Sequence, residues 1–326
     1  MRKYLFARLL ALCVAIALSC ACHDETGLGA KVIPTTVKLK VSVPVSETKL
    51  TGTITENAID NYQVYVFSEN GVLETYVNQS DSDIVLSCTA GDKTIAVLAN
   101  APVVNDITTF SELSSKTTML TDNDTGCFVM SGKQQVTLSG DKEVSVAVSR
   151  LVAKVRLSEL NVSFEAPQYQ SAGFKVSAVY LINVPADVSY FSGASPVGWY
   201  NKQKYISSDS NVLTYDDMRS VMVTSDNPYS SVNTFYCYPN PVTQDSFDPT
   251  WTERHTRLVV EASIGIVKYY YPVTLPALES NKIYDVRLAI TRPGVSGPDM
   301  EVEKYAADFS ISVMDWETGA SVSKEI

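Results

Sequence analysis

The sequence predicts a mostly β protein built as two β-sandwich domains in tandem, and three observations predict it. Short apolar runs alternate with polar residues at period two, the pattern of a strand with one buried and one wet face. Only 19% of residues are charged, while Tyr numbers 18 and Val, Thr and Ser recur throughout, a composition suited to pleated, half-buried surfaces. Asn-Gly, Ser-Gly, Gly-Asp and Asn-Pro pairs punctuate the runs as turns.

The chain opens with Arg2, Lys3 and Arg8, then an apolar run from Leu9 to Leu18, then Ser19-Cys20-Ala21-Cys22. A basic start, a short apolar stretch and small residues before a cysteine read as an export leader, and the run is too short to remain as a spanning helix. Cys20, preceded by Ser19, and Cys22, preceded by Ala21, both fit the lipid acceptor of a bacterial lipoprotein signal. Several acyl chains on one such cysteine anchor a protein stably, because each buried methylene adds about 0.8 kcal/mol and a single chain is marginal. The expected organisation is leader and lipidation site over 1–22, a first sandwich over 23–155 and a second over 156–326.

The first strand of the mature chain is Thr36 to Val45. Val37, Leu39, Val41, Val43 and Val45 fall at alternate positions, and Pro44, which has no amide donor, places the strand at a sheet edge or ends it. A polar connection runs from Ser46 to Asn61 and carries Lys49, Gly52 and Glu56; it is the kind of segment a protease reaches. Strands follow at Tyr62 to Phe67, before a turn at Glu69-Asn70-Gly71, at Ile84 to Cys88 and at Lys93 to Asn100. Thr108 to Leu120 suits one short helix, with Phe110 and Leu113 on one face. Strands resume at Cys127 to Met130, Gln135 to Leu138 and Glu143 to Val148.

A second series begins at Val148 to Leu157, a strand that either domain can claim, and Phe174 to Leu181 then takes the part that Tyr62 to Phe67 takes in the first. A Gly/Ser/Asn-rich excursion, Ser189 to Asp217, carries Trp199, Tyr200 and Tyr205. Strands continue at Thr234 to Tyr238, Thr256 to Ala262, Val267 to Val273, Lys282 to Ile290 and Asp308 to Trp316.

No enzyme site assembles from these residues. His23 and His255 lack a serine or cysteine partner in any recognisable pattern, and no nucleophile elbow, phosphate loop, zinc helix or dinucleotide fingerprint occurs. Asp216, Asp217 and Asp245 would form a glycosidase pair only if folding brought two of them to the required separation. Asp122-Asn123-Asp124 and Glu301 with Glu303 group hard oxygen ligands without the spacing of a calcium loop, so solvated loops are the simpler reading. The expectation is no catalytic residue, no metal and no cofactor. Cys88, Cys127 and Cys237 allow at most one bridge. A net charge of −10, more negative once the leader's basic residues are gone, disfavours nucleic acid as a partner. Trp199, Tyr200 and Tyr205 are candidates for stacking on a glycan, although aromatics beside turns also serve as core.

The chain resembles the fimbrillins, the FimA-like type V pilin subunits of the Bacteroidetes. The resemblance rests on the leader, on Thr36 to Val45, on Ala90 to Asn100, on Ser149 to Val155 and on Val179 to Val184. It continues through Phe235 to Asn240, Thr256 to Glu261, Tyr270 to Pro276, Asn281 to Tyr284, Thr291 to Gly294 and the closing Asp315-Trp316. His23-Asp24-Glu25 resembles the acidic signal that sends lipoproteins of that phylum to the outer face of the outer membrane.

The resemblance implies two transthyretin-like β-sandwiches and an outer-membrane, lipid-anchored precursor that ends in a cell-surface fimbrium. Its implied partners are other fimbrial subunits, membrane lipid through Cys20 or Cys22, an extracellular maturation protease, and host or bacterial surface ligands. Carried onto this chain, the removable strand is Val37, Leu39, Val41, Val43 and Val45, and the donated strand is the region of Phe309, Ile311 and Val313. The well-studied members are cut after arginine, yet no arginine occurs between Arg8 and Arg150, which leaves Lys49 as the nearest basic residue in the connection. A fimbrial anchor or tip accessory, or a non-polymerising lipoprotein that binds glycan or protein, therefore stays open beside the polymerising subunit.

Overall fold

The computed structural model describes residues 35–44, 56–209, 212–246, 251–302 and 307–316. From Thr36 onward the described chain forms one compact unit. Its first half contains β1 (Thr36–Ser42), β2 (Tyr62–Ser68), β3 (Leu73–Gln79), β4 (Ile84–Thr89), β5 (Gly91–Ala99), α1 (Phe110–Ser115), β6 (Thr117–Met119), β7 (Met130–Leu138), β8 (Lys142–Ser145) and β9 (Ser149–Arg150). The second half contains β10 (Ala153–Val162), α2 (Pro167–Ala172), β11 (Phe174–Ile182), β12 (Val184–Pro185), β13 (Asp187–Ser189) and β14 (Trp199–Tyr200). It continues with β15 (Tyr215–Val223), β16 (Asn233–Cys237), β17 (Arg257–Ile264), β18 (Val267–Thr274), β19 (Lys282–Ile290) and β20 (Ala307–Asp315).

In the first half, a sheet ordered β4-β1-β8 lies against one ordered β3-β2-β5-β7-β9. Val37, Leu39 and Val41 meet Ile84, Leu86, Val64, Val66, Ile95 and Val97 in a closed apolar cluster between the two. β2 is buried along nearly its whole length, in contrast to the alternation of β1. The reason is that its sheet is covered on both faces: Val64 and Val66 point into the first cluster, while Tyr65 and Phe67 join a second cluster that continues into the other half of the chain. That second cluster fills the space between the sheets β16-β10-β19-β20 and β15-β11-β17-β18.

Several local details differ from the sequence expectation. The helix is limited to six residues. Thr109 and Glu112 form its capping box, and Thr117–Met119 leaves it to pair with Asp187–Ser189. The strand expected at 135–138 extends back to Met130 as one strand, β7, while 127–129 lie outside it; β7 needs Gly132. A Cβ there would sit 2.1 Å from the Ala147 carbonyl oxygen. β3, α2 and β15 add to the elements expected from the sequence; Asp217 and the left-handed Arg219 and Ser220 interrupt any clean alternation in β15. The stretch Val148 to Leu157 divides, with Ser149–Arg150 pairing to β7 and Ala153–Leu157 to β16 and β19.

Candidate functional site

β1 owes its form to alternation, and its position to pairing on both sides. Val37, Leu39 and Val41 are at most 2% exposed, while Lys38 and Lys40 face solvent. β1 is the middle strand of its sheet. It runs antiparallel to β4, with Val37 opposite Cys88, Leu39 opposite Leu86 and Val41 opposite Ile84, and parallel to β8, with Val41 opposite Val144. Beyond the strand, Val146 N donates to the Ser42 carbonyl at 2.9 Å and Val148 N to the Pro44 carbonyl at 3.3 Å. The strand ends before Pro44, which satisfies the proline without placing β1 at an edge.

Ion pairs contribute little to holding β1. Lys40 lies 3.9 Å from both Asp83 and Glu143, and all three side chains are more than half exposed. What keeps β1 in place is main-chain pairing on both sides and the apolar row beneath it. Val43 packs partly buried on the same cluster. Val45, Lys49, Cys20 and Cys22 lie outside the described residues.

At the other end of the chain β20 pairs antiparallel with β19 over nine positions and forms the edge of its sheet. Ile311 is buried, Val313 is half-buried and Phe309 is 40% exposed. Trp316, next after the strand, is buried.

The three aromatic candidates occupy different environments. Trp199 is only 8% exposed and lies edge-on to Trp251 at 5.9 Å. Tyr200 is half-buried and its backbone pairs with Val184. Tyr205 stacks on Tyr215 at 4.5 Å, beside Tyr180. Asp122 and Asn123 are committed locally, the first accepting from Thr118 Oγ1 and Met119 N, the second bonding Val129 N and the Tyr238 hydroxyl. Cys88, Cys127 and Cys237 are free thiols, and burial pushes Cys237 up to about 12.

Two polar clusters escape sequence reading because their members are far apart in the chain. In one, the Asp245 carboxylate accepts from His255 N at 2.7 Å, contacts His255 Nδ1 at 2.8 Å and pairs with Arg257, which is 3% exposed. Asp299 completes it, accepting from Arg254 Nη1 at 3.1 Å and from Asn183 Nδ2 at 3.0 Å. Burial pushes the Asp245 carboxyl up, but the hydrogen bonds from His255 and Arg257 outweigh burial and hold it below the usual aspartate value. This arrangement fastens the loop before residue 247 to β17; His255 is thus a member of a fixed cluster rather than a free loop residue.

The other cluster centres on Glu56, within the polar connection, where the described chain resumes. Its carboxylate accepts from Lys154 Nζ at 2.7 Å, the Tyr236 hydroxyl at 2.6 Å and Trp316 Nε1 at 3.1 Å.

Residues 35–157 match the family model of the major fimbrial subunit protein FimA. The match begins one residue before β1, so the strand lies within the part of the chain that carries the family likeness. Over these residues the resemblance read from the sequence holds. Among solved structures, the fold is similar to a fimbrilin (FimA) from Porphyromonas gingivalis W83, with 16% identity, a TM-score of 0.60 and coverage of 88% of this chain and 98% of that one. It is also similar to the tip fimbrial protein Mfa3 of Porphyromonas gingivalis, with 14% identity, a TM-score of 0.56 and coverage of 86% and 100%.

Proposed function

We propose that the chain is a structural subunit of a cell-surface fimbria that assembles by strand exchange and contributes to adhesion. The observation that carries this reading is β1 itself: a buried middle strand, held by reversible contacts on both sides and joined to the rest by a long polar connection. In this reading the precursor is anchored in the outer membrane through Cys20 or Cys22, and an extracellular protease cuts the connection, with Lys49 a candidate position. Departure of β1 opens a groove lined by β4, β8 and the facing sheet. An extended strand from the C-terminal region of another subunit, Phe309 to Ile326, then fills it, with main-chain bonds supplying affinity and alternate side chains the register. Donor and acceptor surfaces differ, so the contact is heterologous and propagates as a filament.

The mature subunit in surface-sheared fibres is expected to begin between Ser46 and Ile59. N-terminal sequencing checks this, and a start at Cys20 or Cys22 in assembled fibres overturns it. The donor assignment has its own test. Because Ile311 and Trp316 also seal their own sandwich, the informative deletion removes 317–326 alone. Fibres are expected to disappear while the monomer still folds; fibres of normal length would sink a donor role for 317–326.

A second reading is favoured by one observation, the lack of arginine between Arg8 and Arg150. A subunit that is never cut keeps β1 in its own groove, donates a strand without accepting one, and serves as an anchor or tip accessory.

A further inference from the structure

We propose that Glu56 is a clasp that locks the C-terminal strand to the far end of the polar connection, so that the two ends of a subunit cut before it are fastened at one point. Glu56 and Trp316 are 260 residues apart, yet the glutamate's Oε2 accepts the indole N–H directly. Its Oε1 takes the ammonium of Lys154 and the hydroxyl of Tyr236, so both carboxylate oxygens are engaged. The Arg150 side chain, 1% exposed, binds the same segment. Its Nε donates to the Glu56 carbonyl at 3.1 Å, another of its nitrogens bonds Asn57, and its guanidinium lies 4.6 Å from the Trp316 ring. Tyr236 stacks on Trp316 at 5.8 Å, and Phe128 closes the ring cluster.

The chemistry is that of a carboxylate socket: one ammonium, a phenol and an indole converge on an acid whose side chain is 18% exposed, while Arg150 holds the main chain at the same residue. Burial pushes the Glu56 carboxyl up, but the hydrogen bonds from Lys154 and Tyr236, with the Lys154 charge and the Trp316 bond, overcome it and hold the group below the usual glutamate value. Farther along, Asn100 Nδ2 donates to the Ala58 carbonyl at 2.8 Å, and Asn100 Oδ1 accepts from Asp60 N at 2.8 Å. The segment from Glu56 onward is thereby fixed independently of β1.

Two consequences follow. A cut before Glu56 leaves the clasp closed, with the new amino end bound beside β20, whereas a cut between Glu56 and Ile59 removes it. Withdrawal of the C-terminal strand first requires that the Glu56–Trp316 bond break. These consequences for assembly rest on the function proposed above, but the clasp itself is testable on the unassembled full-length protein.

The experiment is amide hydrogen exchange of Glu56→Gln, Trp316→Phe and the double variant. Each single change is expected to speed exchange in β20 by about tenfold or more, since a hydrogen bond to a charged group is lost, with exchange in β1 and β4 unchanged. The double variant is expected to match the singles rather than multiply them. Unchanged exchange in β20, multiplicative effects, or equal acceleration in β1 would each overturn the clasp. Tyr236→Phe, which removes one hydroxyl from the socket, gives a milder version of the same pattern if a stronger variant fails to fold. Fibres that begin at Cys20 would refute the assembly reading and leave the exchange result standing.

Discussion

A chain lacking residues 36–44 is expected to lose the fold of its first half and to regain it when a peptide of that sequence is added. Val37, Leu39 and Val41 are fully buried, and each such side chain contributes about 1.5–3 kcal/mol, so their loss removes roughly 5–9 kcal/mol. That is comparable to the whole stability of an ordinary domain. The deletion also strips β4 and β8 of their common partner and leaves two unpaired edges. Thermal unfolding followed by circular dichroism checks both halves of the expectation. The truncated chain should show no cooperative transition at the wild-type temperature, and the peptide should raise the midpoint with concentration. A truncated chain that melts as the intact one does would mean that β1 closes nothing.

Arg257→Met is expected to destabilise the protein by about 3–5 kcal/mol, the range for removing one partner from a buried ion pair. Arg257 pairs with Asp245 and donates through Nη1 to the Asp299 carbonyl at 2.9 Å. Without it, among the described residues Asp245 keeps the His255 contacts, in a place where its side chain is 10% exposed. Urea denaturation measures the loss. A change below about 1 kcal/mol, the size typical of an exposed pair, would show that the cluster is solvated in solution.

The features legible in the sequence are those whose cause is local. Alternation located β1, and the β-branched and aromatic runs located β10, β11, β17, β18 and β19. The proline at 44 stopped β1 as anticipated, although it did not force the strand to an edge, because pairing with both β4 and β8 is complete before it. Of the five apolar side chains assigned to the removable strand, three are fully buried and Val43 is partly so. What escaped depends on partners distant in sequence. β2 alternates in side-chain direction like any strand, yet no periodicity in its own residues reveals that both its faces are covered. Trp199 reads as an accessible aromatic until Trp251, more than fifty residues later, is seen against it. Glu56 sits in a polar stretch and looks like an ordinary surface acid; only with Lys154, Tyr236 and Trp316 in place is its carboxylate seen to be engaged on both oxygens, with Arg150 on its main-chain carbonyl.

The doubly covered sheet has a mechanical corollary. Tyr65, Phe67, Ala96 and Leu98 share one cluster with Val155, Leu181 and Tyr238, and Thr117–Met119 zips onto Asp187–Ser189 across the same seam. A tether pulling on one half cannot swing it about a linker; it must shear an apolar layer and a strand pairing together. Under flow, such a molecule behaves as a strut rather than a hinge.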